Sequence, residues 1–104
     1  MKKYIVEVSK TANKDLQKII MYIRDGLFDD IIADKYKVLF KQEFLNLENI
    51  AGSMPIIDKN LTGHDNIRKV NVKNYIIFYT IDENIVTVLR IGHAFMDWEK
   101  FLKD

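Results

Sequence analysis

The chain of 104 residues contains no cysteine. That absence excludes disulfides, thiolate metal sites and a cysteine nucleophile, and it suits a reducing compartment, so a cytoplasmic location is expected. Proline occurs once and glycine four times. No flexible or proline-rich linker divides the chain, and one domain over residues 1–104 is expected. No apolar run approaches the roughly 18–20 residues of a membrane span. The opening MKKYIVEVSKTANK also lacks the apolar core and small-residue cleavage site of a signal peptide. An excess of one charge is missing too. Lys and Arg number 16 against 15 Asp and Glu, a net charge of +1, unlike the strong basic excess of a non-specific nucleic-acid binder. There is no P-loop, dinucleotide fingerprint, HExxH or zinc-ligand spacing. The two histidines, His64 and His93, have no carboxylates clustered around them in sequence. No metal and no cofactor are therefore expected.

What is present is patterned apolar sequence. Residues 67–98 read IRKVNVKNYIIFYTIDENIVTVLRIGHAFMDW. Three short runs rich in β-branched and aromatic residues, 67–73, 75–81 and 85–91, are split by Lys73-Asn74 and by Asp82-Glu83-Asn84. Such runs fit strands, and breaks this tight join antiparallel neighbours, so a three-stranded meander is expected. Upstream, Tyr4, Val6 and Val8 alternate with Lys3, Ile5 and Glu7, which predicts a first strand. Ser9 or Thr11 can cap a helix whose face is Ala12, Leu16, Ile19, Ile20, Ile23 and Leu27. Gly26 is the expected left-handed residue at its end. A second helix is predicted from Asp29 or Asp30 to about Asn49, with Ile32, Tyr36, Leu39, Phe40, Phe44 and Leu47 as its stripe. Residues 51–66 hold Gly52, Pro55 and Gly63 and read as irregular, with a short extended piece at Ile56-Ile57. Asp97 can cap a short helix over residues 98–103. The expected order is β-α-α-β-β-β with a small C-terminal helix. This is an α+β fold in which a helical hairpin packs on a mainly antiparallel four-stranded sheet.

The polar residues of the meander carry the chemistry. His93, at a strand exit, can act as an acid or base near neutral pH, or can serve as a structural imidazole. Arg68 and Arg90 can clamp a phosphate, or can pair with a helix acid such as Glu43 or Glu48. Arg68 shares alternation with Val70 and Val72, and Arg90 with Val86 and Val88, which places both on the helix-facing side. Lys69 and Lys73 lie on the other face of their strand, placed to meet solvent or a polyanion. Tyr75 and Tyr79 share one face, either as core aromatics or as exposed groups that stack on bases and donate protons. Phe95, Met96 and Trp98 read as hydrophobes that dock the last helix or face a partner.

The set of motifs resembles the RelE/ParE toxin superfamily of bacterial type II toxin–antitoxin systems. The matching residues are Arg68 before an alternating strand, Asn74-Tyr75 and Tyr79, then Val86, Leu89-Arg90-Ile91 and His93, then Asp97-Trp98. Val8-Ser9, Ala12, Asp15-Leu16 and Ile19 match the family's N-terminal part. The resemblance implies a toxin that inhibits growth, stabilises a plasmid or chromosome, and is neutralised by a cognate antitoxin. Two activities occur on this fold. One is ParE-like poisoning of DNA gyrase. The other is RelE-like, metal-independent cleavage of mRNA on the ribosome. For an RNase, the resemblance points to His93, Tyr79 or Asp97 as acid or base, to Arg68 or Arg90 as phosphate clamp, and to Lys69 or Lys73 as helpers. Many relatives carry arginines shortly after the histidine, where this chain has Phe95 and Met96. Those two residues suit a protein partner better, so the gyrase-inhibitor reading is favoured over the RNase. A non-toxic protein-binding module on the same fold is the third reading. A homodimer or a toxin–antitoxin hetero-oligomer would fit. In the toxin readings an apolar groove should be exposed on the helical hairpin or at a sheet edge, where an antitoxin binds.

Overall fold

The computed structural model describes residues 3–57, 59 and 63–103. Part of the irregular stretch expected at 51–66, namely residues 58 and 60–62, lies outside them. The first strand, β1 (Ile5–Val8), leads into α1 (Lys10–Met21), whose N-cap is Ser9. The Ser9 hydroxyl accepts from the Ala12 N–H at 3.0 Å, as its residue type favours. A widened π-turn follows (Tyr22–Gly26), closed by the Leu27 N–H donating to the Tyr22 carbonyl at 3.1 Å. Then comes α2 (Asp30–Ile50), capped by the Asp29 carboxylate on the Ile32 N–H at 2.9 Å. A single 3₁₀ turn (Ala51–Ser53) closes that helix.

The meander is β2 (Arg68–Val72), β3 (Tyr75–Asp82) and β4 (Ile85–His93), and α3 (Trp98–Lys103) ends the described chain. The sheet order is β1-β4-β3-β2, with β1 parallel to β4 and the other neighbours antiparallel. Both hairpin loops have two residues, and the first of each, Lys73 or Glu83, takes a positive φ. The extended piece at Ile56-Ile57 is also there, since Ile56 bridges to Arg68 and the Ile57 N–H donates to the Ile67 carbonyl.

Two cores lie on opposite faces of this sheet. On one face Val72, Tyr75, Ile77, Tyr79, Val86, Val88 and Ile91 pack against Ala12, Phe40, Leu47 and Ala51 of the helical side. On the other, Ile76 and Phe78 meet Ile57 and Ile67, with Trp98, Phe101 and Leu102 of α3 laid over them. Gly92 lets this second layer close, because a Cβ there would stand 2.7 Å from the Met96 sulfur and 3.1 Å from the Phe101 ring.

The structure corrects several sequence expectations. Leu27 and Ile32, expected on the apolar helix faces, are exposed, because each lies at the helix–helix connection beyond the reach of the sheet. Gly26 does not end α1 in the left-handed region. The π-turn uses an extra residue, and the positive φ falls on Phe28, at 55°. Arg90 does not share a face with Val86 and Val88. A bulge pairs Phe78 with Arg90 but Tyr79 with Val88, leaving Leu89 as the extra residue. Strand alternation slips there, and both Leu89 and Arg90 turn to the α3 side.

Candidate functional site

The polar residues singled out in the meander are placed in three separate settings. Arg68 lies at the start of β2, opposite Tyr79 on β3. Its guanidinium donates to the Gly52 carbonyl at 3.3 Å and to the Met54 carbonyl, so it fastens the end of α2 to the sheet. Tyr79 is fully buried, and its hydroxyl donates to the Ala51 carbonyl at 2.8 Å. Burial pushes its pKa up to about 12, against a smaller downward pull from Arg68.

Arg90 holds a second setting. Its Nε donates to Asp15 Oδ2 at 2.8 Å and its Nη2 to Asp15 Oδ1 at 3.2 Å, a two-pronged pair between β4 and α1. The same Asp15 Oδ2 accepts the Ile91 N–H at 3.1 Å. Arg90 also donates to the Phe101 carbonyl at 3.2 Å and lies 3.7 Å over the Phe101 ring. The arginine therefore finds an acid, as the ion-pair reading allowed, but the acid is Asp15 and not Glu43 or Glu48. Beside it on the same face, Lys69 sits 5.6 Å from the Trp98 ring centre, and Trp98 is tilted against Phe78 at 6.0 Å.

The third setting is the end of the sheet where the β2–β3 turn and the β4 exit meet. The Ala94 N–H donates to the Asn74 carbonyl there at 2.7 Å. His93 is exposed, and its Nδ1 accepts the Phe95 N–H at 3.2 Å, which orients the ring. Its ring meets Tyr75 edge-on at 5.3 Å and Phe95 at 5.1 Å. Tyr75 in turn meets Tyr36 at 5.6 Å and Phe40 at 5.9 Å. An aromatic path thus runs from the core to Phe95, which is 82% exposed. The Tyr75 phenol is raised by burial, then by the neighbouring Tyr36 and Tyr22.

These placements decide what can act together. His93 pairs across β3 with Tyr75, while Arg68 pairs with Tyr79, four residues farther along that strand. At about 3.3 Å per residue the two rows are roughly 13 Å apart. His93 and Arg68 therefore stand on separate rows, while the Arg90 guanidinium is taken up by Asp15. Lys73, in the turn near His93, is exposed, whereas Lys69 is half-buried over Trp98. Among the described residues no group of three His, Cys, Asp or Glu side chains could hold a metal ion. No described helix is long and apolar enough to cross a membrane.

The surface offers apolar recesses instead. An open groove of about 620 Å³ runs along α2 and is lined by Ile31, Asp34, Lys35, Val38, Leu39 and Lys73. A second, of about 410 Å³, lies where α1 meets the β4 exit and is lined in part by Lys18, Tyr22, Tyr75, His93 and Met96. The first of these lies on the hairpin, with Ile31, Val38 and Leu39 as its apolar part. Phe95 and Met96 are exposed, while Trp98 is half-buried in the second core.

Some roles were not visible in the sequence. Asp15 was matched to the family's N-terminal part but not to Arg90. Its partners lie on β4, far along the chain, and no local pattern points to them. Leu27 and Phe28 did leave a signal, since two large apolar residues between a glycine and an aspartate are out of place in an ordinary loop.

A model of the family described as ParE toxin of type II toxin-antitoxin system, parDE, matches residues 6–98. No curated protein matches the chain. The fold is similar to a chain of the chromosomal ParDE TA system from P. aeruginosa, with a TM-score of 0.68 at 13% identity, covering 90% of this chain and 99% of that one. It is also similar to a chain of the toxin-antitoxin complex RelBE2 from Mycobacterium tuberculosis, with a TM-score of 0.59 at 21% identity, covering 88% and 98%. With the family's pattern matched across nearly the whole sheet and hairpin, this chain belongs to the ParE toxin family of type II toxin–antitoxin systems.

Proposed function

We propose that the protein is the growth-inhibiting toxin of a toxin–antitoxin pair and that it acts by binding DNA gyrase, without catalysing RNA cleavage. The observation that carries this reading is the dispersal of the candidate catalytic groups. Cleavage through a 2′-hydroxyl needs an acid, a base and positive charge around one phosphate. Here Tyr79 is buried, Arg68 is bonded to two backbone carbonyls on a row well along β3 from that of His93, and Arg90 is locked on Asp15. The two exposed side chains that follow His93 most closely, Phe95 and Met96, are apolar. That surface suits protein recognition.

The partner that neutralises the toxin is a cognate antitoxin, and the groove along Val38 and Leu39 is its proposed seat. An amphipathic segment can bury apolar side chains there while its polar edge meets Lys35, Lys73 and Asp34.

Induced expression in a bacterium tests the reading, with translation and DNA integrity followed separately. A DNA-damage response with intact mRNA is expected. Rapid loss of translation with cut mRNA would make the protein an RNase. His93→Ala should leave growth inhibition unchanged; abolished toxicity in a folded variant would place His93 in the mechanism.

A further inference from the structure

The loop that joins the two helices is built against the usual rules for a surface turn. Within residues 21–32, six large apolar side chains stand exposed: Met21, Tyr22, Leu27, Phe28, Ile31 and Ile32. Phe28 is the extreme case, with 91% of its surface in solvent. It also carries a positive φ of 55°, which a bulky side chain rarely adopts. The ring gains no burial in the monomer, so side-chain packing does not offset the strain. Strain of this kind is kept at functional sites.

The tip is also braced. The Leu27 N–H is held by the Tyr22 carbonyl, the Asp29 N–H by the Ile23 carbonyl at 3.4 Å, and the Asp29 carboxylate caps α2. Phe28 is thus presented on a pinned backbone and loses little further freedom on binding.

We propose that this hairpin tip is the surface that grips the toxin's protein target, with Phe28 as the anchor that enters an apolar cleft. This deepens the toxin reading and rests on it. Charge defines the partner. Between residues 22 and 34 the only cation is Arg24, paired with Asp25 at 3.3 Å, and Lys37 reaches Asp34 at 3.7 Å, which leaves Asp29 and Asp30 as the acids beside Phe28. An acidic collar around an apolar knob repels nucleic acid and anionic lipid. A two-fold contact between tips would set the collar against itself. The matching surface is a protein cleft rimmed with lysine and arginine. Ile31 belongs both to the tip and to the α2 groove, so an antitoxin seated in the groove crowds the tip.

The test compares wild type with Phe28→Gly and Phe28→Asn, two residues that accept the left-handed backbone. Growth arrest on induction is measured at matched soluble protein, together with inhibition of purified gyrase, the thermal midpoint and solution mass. Both variants should keep or raise the thermal midpoint while losing potency at least tenfold. A structural role for Phe28 would lower stability and function together. Variants as toxic as wild type overturn the proposal, as does a wild-type mass that falls by half in the variants, which would assign the tip to self-association. If wild type stops growth but leaves gyrase untouched, only the gyrase reading fails, and the growth assay alone decides the tip. If wild type does not stop growth, the toxin reading and the proposal both fall.

Discussion

The Tyr79 hydroxyl lies wholly inside the larger core, where it donates to the Ala51 carbonyl and ties β3 to the end of α2. Burial moves its pKa from 10.0 up to about 12, and the sign of the consequence follows. Between these values the unfolded chain releases the proton while the folded chain retains it, so unfolding is favoured as pH rises. Stability from this group is complete below pH 10.0 and is lost as pH climbs through about 12. Tyr79→Phe should flatten that alkaline loss, and it should cost about 1 kcal/mol at neutral pH through the missing hydrogen bond. Denaturant titrations at neutral and alkaline pH check both parts. At this scale the sequence was partly legible. The Ser9 cap and the core role open to Tyr79 follow from residue type and alternation. Phe28 was not legible as the left-handed residue, because Gly26 is the better candidate until the π-turn uses it up.

Among the elements, β4 depends on a side chain from another part of the chain. Its edge is paired with β1 only over Ile85 to Val88. Beyond that point the Ser9 hydroxyl donates to the Leu89 carbonyl and Asp15 accepts the Ile91 N–H, so α1 completes the ladder where β1 has ended. Asp15 also orients Arg90, which reaches the Phe101 carbonyl and ring on α3. Asp15→Ala leaves a half-buried guanidinium and a backbone N–H without their acceptor. We expect a loss of about 2–4 kcal/mol in denaturant unfolding; a loss below ~1 kcal/mol would show that the pair is dispensable. The strand and helix order could be read from periodicity, because each element has one dominant apolar face. The bulge could not, since an extra residue such as Leu89 leaves no mark in a strand that is apolar on both sides.

For the whole molecule, near-neutral charge and committed cations set what it can bind. Arg68 and Arg90 are bonded internally, and Lys69 lies over Trp98. With a net charge of +1 and these three cations engaged, affinity for random RNA or DNA should be weaker than about 10⁻⁴ M at physiological salt. Fluorescence anisotropy with labelled oligonucleotides measures this. Micromolar binding would restore a direct nucleic-acid role for Lys73 and its neighbours. The order of the sheet has a consequence in time. Val8 pairs with Val88, so the first strand finds its partner only after the last has been made. At about 5–20 residues per second, ribosomal synthesis keeps β1 waiting for roughly 4–16 s. Until then the larger core lacks Val86, Val88 and Ile91. A chain arranged this way cannot finish its sheet while β4 is still in the ribosome. The cell making it therefore meets the completed sheet only once its latest strand has been released.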